Sequence, residues 1–102
     1  MNLRTYQETV LRGMFVREDV APVPHAALGL TGEAGEVADL IKKSQYENGH
    51  LSVMRLADEL GDVLWYLTFI AGSYGFSVEE IAELNYRKLS GRHPHLYPDK
   101  VL

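Results

Sequence analysis

An apolar stripe at helical spacing in residues 51–74 is the sequence feature that most constrains the fold. Its members recur every three or four residues, which is the period of a helix and not of a strand. They are Leu56, Leu60, Val63, Leu64, Leu67, Ile70 and Ala71. A helix with so wide an apolar face must pack against other elements, so this segment predicts the central helix of a bundle.

The aromatic residues Trp65, Tyr66 and Phe69 flank this stripe and widen the apolar arc. One small bundle covers less apolar surface than this helix offers. We therefore expect an oligomer, a dimer or a tetramer, that buries the surplus. A monomer whose own core covers the stripe is the alternative.

Three further segments carry helix signals, and none shows the sustained alternation of a strand. Together with the central segment, the predicted helices span about residues 2–17, 25–45, 51–74 and 77–90. Short connections between four helices predict an all-α fold, a four-helix bundle-like module, and 102 residues suffice for one domain, 1–102. The tail 91–102 holds two prolines and a glycine, so we expect it to be irregular.

Local signals define most of the helix ends. Asn2 is the expected N-cap of the first helix, and Gly75 is the expected C-terminal cap of the third. Ser77 and Glu80 form a capping box for the fourth helix. Pro22 and Pro24 are expected to lie before the second helix, because proline disrupts a helix interior.

Composition excludes several classes of protein. The net charge of −4 argues against a general nucleic-acid binder, which is usually basic. The absence of cysteine excludes disulfides and thiolate metal sites. No apolar run approaches the length of a membrane span, and the first residues do not resemble a signal peptide. We therefore expect a cytoplasmic protein with no nucleic-acid or membrane partner.

Two pairs of acidic residues lie beside the most apolar segments. Glu33 and Glu36 are three residues apart, and so are Glu59 and Asp62, so each pair shares one face of its helix. The two helices are joined by a short loop and are expected to be antiparallel neighbours, so their acidic faces can meet. Either pair alone is typical of a solvated surface, but the two together favour a site.

Four carboxylates that converge would repel one another unless a cation offset their charge. Only oxygen ligands are available on these helices, which favours Mg²⁺, with Mn²⁺ as a substitute, over Zn²⁺. Such a site suits phosphoryl chemistry, because the cation can neutralise a triphosphate and activate a water. A carboxylate that does not bind the metal can serve as general base.

Other polar residues have two interpretations. Asn85, Lys88 and Arg92 recur near the end of the fourth helix, where the two cations could bind phosphates or simply complement the helix dipole. Tyr6 and Gln7 could form a base pocket, or could lie in the core and in solvent respectively. The His93-Pro94-His95 tail could bind metal but is more typical of plain surface.

The order Glu33-x-x-Glu36, twenty-two intervening residues, then Glu59-x-x-Asp62 resembles the MazG-like nucleoside triphosphate pyrophosphohydrolases. The surrounding segments also resemble this family: "ALGLTGEAGEVADLIKK", "LADELGDVLWYL" and "NYRKLSGRHP". The resemblance covers about residues 3–95. This family belongs to the all-α NTP pyrophosphatase superfamily, with the dimeric dUTPases and the phosphoribosyl-ATP pyrophosphohydrolases.

The resemblance implies Mg²⁺-dependent hydrolysis of (d)NTPs at the α-phosphate, giving a nucleoside monophosphate and pyrophosphate, in nucleotide-pool control or house-cleaning. The four acids would hold the metal, and Glu36 would also orient or deprotonate the water. Lys88 and Arg92, with Asn85 nearby, would hold phosphates, and a homodimer or homotetramer would build the site from more than one chain. Two alternatives are a non-catalytic helical module that binds a nucleotide or a protein, and a related pyrophosphohydrolase acting on dUTP or phosphoribosyl-ATP.

Overall fold

Four α-helices follow one another along the chain. In this computed structural model, which describes residues 1–13, 21–46 and 49–99, they are α1 (Leu3–Arg12), α2 (Pro22–Tyr46), α3 (Val53–Ser73) and α4 (Val78–Arg92). The described residues contain no strand. The predicted all-α fold is confirmed. No helix among these residues is long and apolar enough to cross a membrane.

The first helix begins as predicted and ends earlier. The Asn2 side chain accepts a hydrogen bond from the Thr5 backbone N–H at 2.8 Å, which makes Asn2 the N-cap. The helix ends at Arg12, and Gly13 follows it as C-cap. The rest of the predicted segment, residues 14–17, lies outside the described residues.

The second helix begins at Pro22, three residues before its predicted start. The expectation that Pro22 and Pro24 lie before the helix is wrong, because both occupy its first turn. The N–H groups of a first turn have no carbonyl partner within the helix, so a proline there sacrifices no hydrogen bond. The helix continues to Tyr46, one residue past the predicted end.

The connection between α3 and α4 uses both predicted caps. Gly75 has φ +83°, and the Phe76 N–H donates to the Ala71 carbonyl at 2.9 Å, so the helix closes on a glycine in the left-handed region. The Ser77 hydroxyl accepts from the Glu80 N–H, and the Glu80 carboxylate accepts from the Ser77 N–H, both at 3.0 Å. These bonds fix the point at which α4 begins.

The C-terminal segment has more structure than predicted. Helix α4 extends to Arg92, two residues past its predicted end at Ser90. Residues 93–99 then fold back against the helix: the Tyr86 hydroxyl donates to the Pro98 carbonyl at 2.6 Å, and the Ser90 hydroxyl donates to the Asp99 carboxylate at 2.6 Å. The rest of the predicted irregular tail, residues 100–102, lies outside the described part.

Helices α2 and α3 pack against each other in an antiparallel arrangement. Ala26 shares the core cluster with Phe69, Gly29 lies against Tyr66 one turn further along, and Glu33 meets Glu59 and Asp62 beyond that. Position therefore rises along α2 as it falls along α3. This register brings the two acidic pairs together.

Much apolar surface remains uncovered in the single chain. Its accessible surface is 7989 Å², whereas a compact monomer of this length exposes about 5,800 Å². Its radius of gyration is 16.5 Å, against about 13 Å for a compact domain. Val53, Leu60 and Leu67 recur every seven residues on α3 and are 68%, 49% and 36% exposed. The period of the helix places this stripe away from Glu59, Asp62 and Tyr66, which face α2.

Candidate active site

Three carboxylates converge between α2 and α3. Glu33 projects from α2 and Glu59 and Asp62 from α3, and one oxygen of each lies within 4.8 Å of the others. Glu33 is four residues after Gly29, and Asp62 is four residues before Tyr66, so both acids lie one turn from the Gly29–Tyr66 contact. We call Glu33, Glu59 and Asp62 the acidic cluster.

The fourth predicted acid, Glu36, lies at the edge of this cluster. Its side chain is exposed, and it is not one of the three whose oxygens converge. Glu36 nevertheless acts on Glu59, because interaction with Glu36 is the largest cause of the raised pKa of Glu59. The structure therefore distinguishes three acids whose oxygens converge, Glu33 and Glu59 half-buried and Asp62 exposed, from Glu36 beside them, which the paired spacing alone does not do.

Crowding of the acids shifts their proton affinities. Hydrogen bonds with Glu36 and Glu33, together with burial and the charges of the same two residues, raise the pKa of Glu59 from 4.5 to about 7. The hydrogen bond with Glu59 lowers the pKa of Glu33. Burial and the charges of Glu36 and Asp62 outweigh that bond, so the net pKa of Glu33 is raised. Both pKa values are raised because these acids are partly buried and lie close to other carboxylates.

The cluster has the properties of a divalent-cation site. The Oε2 atoms of Glu33 and Glu59 are buried, and neither has a hydrogen-bond partner among the described residues. Buried polar atoms normally have a partner, so these two oxygens, on residues whose carboxylates converge, point to a missing positive group. Carboxylate oxygens are the ligands that Mg²⁺ and Mn²⁺ prefer. The residues present therefore fit a cation of this class.

Helix α1 brings Tyr6 beside the cluster. Its ring is half-buried, and burial together with the charge of Asp62 raises the pKa of its hydroxyl. Tyr6 packs against the same core cluster as Tyr66, which lies one turn from Asp62. Its ring is therefore part of the apolar packing next to the carboxylates.

Gln7, the neighbour of Tyr6, is buried and fully engaged with backbone groups. Its side chain is 8% exposed, so the alternative that Gln7 lies in solvent is wrong. Its amide nitrogen donates to the Phe76 carbonyl at 2.9 Å, and its amide oxygen accepts from the Val78 N–H at 3.1 Å. Gln7 therefore connects α1 to the start of α4. Because Gln7 and Val78 are 71 residues apart, no local sequence pattern could predict this contact.

Replacing Gln7 with leucine should destabilise the fold. The change removes both hydrogen bonds and leaves the Phe76 carbonyl and the Val78 N–H without partners, a loss of about 2–4 kcal/mol in the free energy of unfolding. Urea denaturation followed by circular dichroism measures it. Glu8→Gln is the matched control, because Glu8 is an exposed neighbour. A Gln7→Leu protein with unchanged stability would contradict the anchoring role.

The predicted phosphate-binding residues lie on another part of the molecule. Asn85, Lys88 and Arg92 are exposed on α4. Within the described residues α4 contacts α1 and α3 but not α2, the helix that carries Glu33 and Glu36. His93 and His95 are also exposed, just beyond α4. A single chain therefore gathers the acids between α2 and α3 without packing α4, which carries Lys88 and Arg92, against α2.

Comparison with known proteins gives a family. The MazG nucleotide pyrophosphohydrolase domain matches residues 25–97, a range that includes all four acids and the three polar residues of α4. The "gene 37 protein" of Mycobacterium phage L5 is 29% identical to the chain over 79 residues, which are 74% of this chain and 69% of that protein. No solved structure matches. Because the domain covers more than half of its length, the chain belongs to the MazG nucleotide pyrophosphohydrolase family.

Proposed function

We propose that this chain hydrolyses (d)NTPs between the α- and β-phosphates, releasing a nucleoside monophosphate and pyrophosphate, in nucleotide-pool control or house-cleaning. The carrying observation is the acidic cluster, in which two buried carboxylate oxygens lack partners within the described chain. Membership of a nucleotide pyrophosphohydrolase family supports the same reaction. A non-catalytic binding module would have no need of such a concentration of carboxylates.

Glu33, Glu59 and Asp62 would hold Mg²⁺, or Mn²⁺ in its place, because their oxygens converge within 4.8 Å. A cation bound there neutralises charge on the phosphates and lowers the pKa of a bound water. These three acids would position the cation. Glu33 lies on α2 and Glu59 and Asp62 lie on α3, so the packing of α2 on α3 fixes the separation of their carboxylates. The raised pKa values of Glu33 and Glu59 would be lowered again when a cation enters the cluster.

Glu36 would act on the attacking water. Its exposed carboxylate borders the cluster, where a water near the α-phosphorus can reach it. As the water oxygen forms its bond to the α-phosphorus, the bond from that phosphorus to the bridging oxygen breaks. Pyrophosphate leaves with the bonding electron pair, and Glu36 accepts the proton of the water.

Tyr6 would contact the base of the nucleotide. Its ring borders the cluster beside Asp62, so a substrate whose phosphates meet the acids would extend its base towards α1. Aromatic stacking suits any base, because each base has a π-face. Gln7 contributes indirectly: its amide is committed to backbone partners, so it would hold α1, and with it Tyr6, in place.

Replacing Lys88 with alanine is expected to raise KM about fivefold to twentyfold with little change in kcat, since Lys88 would bind phosphate oxygens together with Arg92 and Asn85. Steady-state pyrophosphate release measures both constants. The matched control is Arg87→Ala, because Arg87 is the adjacent cation and pairs with Glu83 on the same helix. Equal KM values for the Lys88 variant and the wild type would show that Lys88 does not bind the substrate.

A second copy of the chain would cover the stripe of Val53, Leu60 and Leu67 and complete the site in a dimer or tetramer. Val53 and Leu60, which are 68% and 49% exposed, are side chains that such an interface would bury. Leu60→Glu is expected to produce monomers in sedimentation velocity, and Leu96→Glu, on the exposed tail, to leave the assembly intact. A wild-type chain that sediments as a monomer would contradict this assembly.

The reaction is tested by pyrophosphate release from the eight common NTPs and dNTPs, together with phosphoribosyl-ATP, with and without Mg²⁺. Metal-dependent release with monophosphate as co-product is the expected result, and the ranking of substrates separates general (d)NTP hydrolysis from preference for dUTP or phosphoribosyl-ATP. Absence of release from every compound would refute the proposal. Nucleotide-dependent thermal stabilisation without turnover would establish a binding module instead.

A further inference from the structure

Gly29 lies where no side chain fits. A Cβ atom at this position would be 2.4 Å from Cε1 and Cζ of Tyr66 and 2.9 Å from its Cδ1. Carbon atoms in contact are normally about 3.5–4.0 Å apart. The ring of Tyr66 therefore lies directly on the backbone of α2.

The Tyr66 ring is half-buried and is packed on its inner side. It packs against the core cluster and meets Trp65 edge to face, with ring centroids 5.2 Å apart. Trp65 in turn stacks on Phe69 at 5.8 Å. Interiors packed in this way resist displacement of one member. A side chain at position 29 would therefore push α2 and α3 apart more readily than it would turn the ring.

The contact adjoins the acidic cluster on both helices. Glu33 follows Gly29 by one turn, and Asp62 precedes Tyr66 by one turn. A change in helix spacing at Gly29 would therefore be transmitted directly to the distance between the carboxylates. The next glycines of α2, Gly32 and Gly35, differ, because a Cβ at either would meet nothing within 4 Å.

We propose that Gly29 and Tyr66 are positioning residues that set the α2–α3 separation at which Glu33, Glu59 and Asp62 can share one cation. The inference rests on the metal site of the proposed function. Of the three glycines Gly29, Gly32 and Gly35, only Gly29 has this role. Metal ligands tolerate only small changes in separation, so a displacement smaller than a methyl group matters.

The test is Mn²⁺ binding to the Gly29→Ala protein, measured by isothermal titration calorimetry without nucleotide. We expect affinity to fall at least about tenfold, the scale on which loss of a supporting residue weakens a metal site. Gly32→Ala and Gly35→Ala are the matched controls, in which Mn²⁺ affinity should stay within about twofold of wild type and the melting temperature should rise, since alanine favours a helix. Unchanged affinity in Gly29→Ala would overturn the inference.

A second variant separates positioning from general damage to the fold. Tyr66→Leu removes the ring atoms that a Cβ at position 29 would meet. Combined with Gly29→Ala, it should restore Mn²⁺ affinity to within about threefold of Tyr66→Leu alone, the non-additivity expected of residues in contact. Additive losses in the double variant would mean that the two residues do not act through each other, and the inference would fall.

The outcomes also separate this inference from the proposed function. A wild-type chain that binds Mn²⁺ but hydrolyses no nucleotide overturns the reaction and leaves the spacing role intact. A Gly29→Ala protein with wild-type Mn²⁺ affinity overturns the spacing role alone. A wild-type chain that binds no divalent cation overturns both.

Discussion

Glu36→Gln is expected to lower kcat for pyrophosphate release by at least about 100-fold, because a general base contributes about 10²–10⁴-fold and an amide cannot accept the proton of the water. Mn²⁺ should still bind, because the three converging carboxylates remain. The Glu36→Gln protein should therefore lose turnover while it keeps Mn²⁺ binding. It is measured by coupled-enzyme kinetics and by calorimetric titration with Mn²⁺ on the same preparation.

The control for this variant is Glu79→Gln, which makes the same chemical change at an exposed acid on α4. Its kcat should stay within about twofold of wild type, since surface substitutions away from a site have small effects. If Glu36→Gln retains full turnover, Glu36 does not act on the water. If it loses Mn²⁺ binding together with turnover, Glu36 is a metal ligand instead.

Glu59→Gln is expected to have opposite effects on stability and on metal binding. At pH 8 the metal-free variant should melt at a higher temperature than the wild type, because a neutral amide replaces a carboxylate crowded by Glu36 and Glu33. Mn²⁺ affinity should fall by at least about tenfold, because a buried ligand oxygen loses its charge. Differential scanning calorimetry and metal titration measure the two effects.

The pH dependence of the metal-free wild type follows from the same shift. The pKa of Glu59 is about 7 in the folded chain, against 4.5 ordinarily, so the folded state holds this proton more tightly than the unfolded state. The stability contributed by the bound proton is fully present below about pH 4.5 and is lost as the pH rises through 7. The melting temperature without metal should therefore fall across this window, and Mg²⁺ should restore it at pH 8.

Glu59→Gln should flatten this pH profile, whereas Asp58→Asn, at an exposed acid next to Glu59, should leave it as in the wild type. A wild-type protein whose melting temperature rises from pH 5 to pH 8 without metal would contradict the crowding of the carboxylates. So would a Glu59 variant with the same slope as the wild type. Neither result depends on turnover, so stability and reaction are tested independently.

The sequence by itself determined the helices and most of their ends. The Asn2 cap, the Gly75 cap and the Ser77–Glu80 capping box were predictable because each depends on residues no more than five positions apart. Helical periodicity is likewise local. The start of α2 at Pro22 was missed because a proline in the first turn has the same local appearance as one that precedes a helix.

The sequence also predicted α2 and α3 as antiparallel neighbours, but the tertiary structure alone decided which residues of the two helices meet. The sequence placed the acids in two pairs, but only the antiparallel register of α2 and α3 brings Glu33, Glu59 and Asp62 within 4.8 Å and leaves Glu36 beside them. The burial of Gln7 and the need for glycine at position 29 also depend on partners far away in the chain, Val78 and Tyr66 respectively. Such contacts produce no periodic pattern in the sequence, because they form between residues of different helices when those helices pack together.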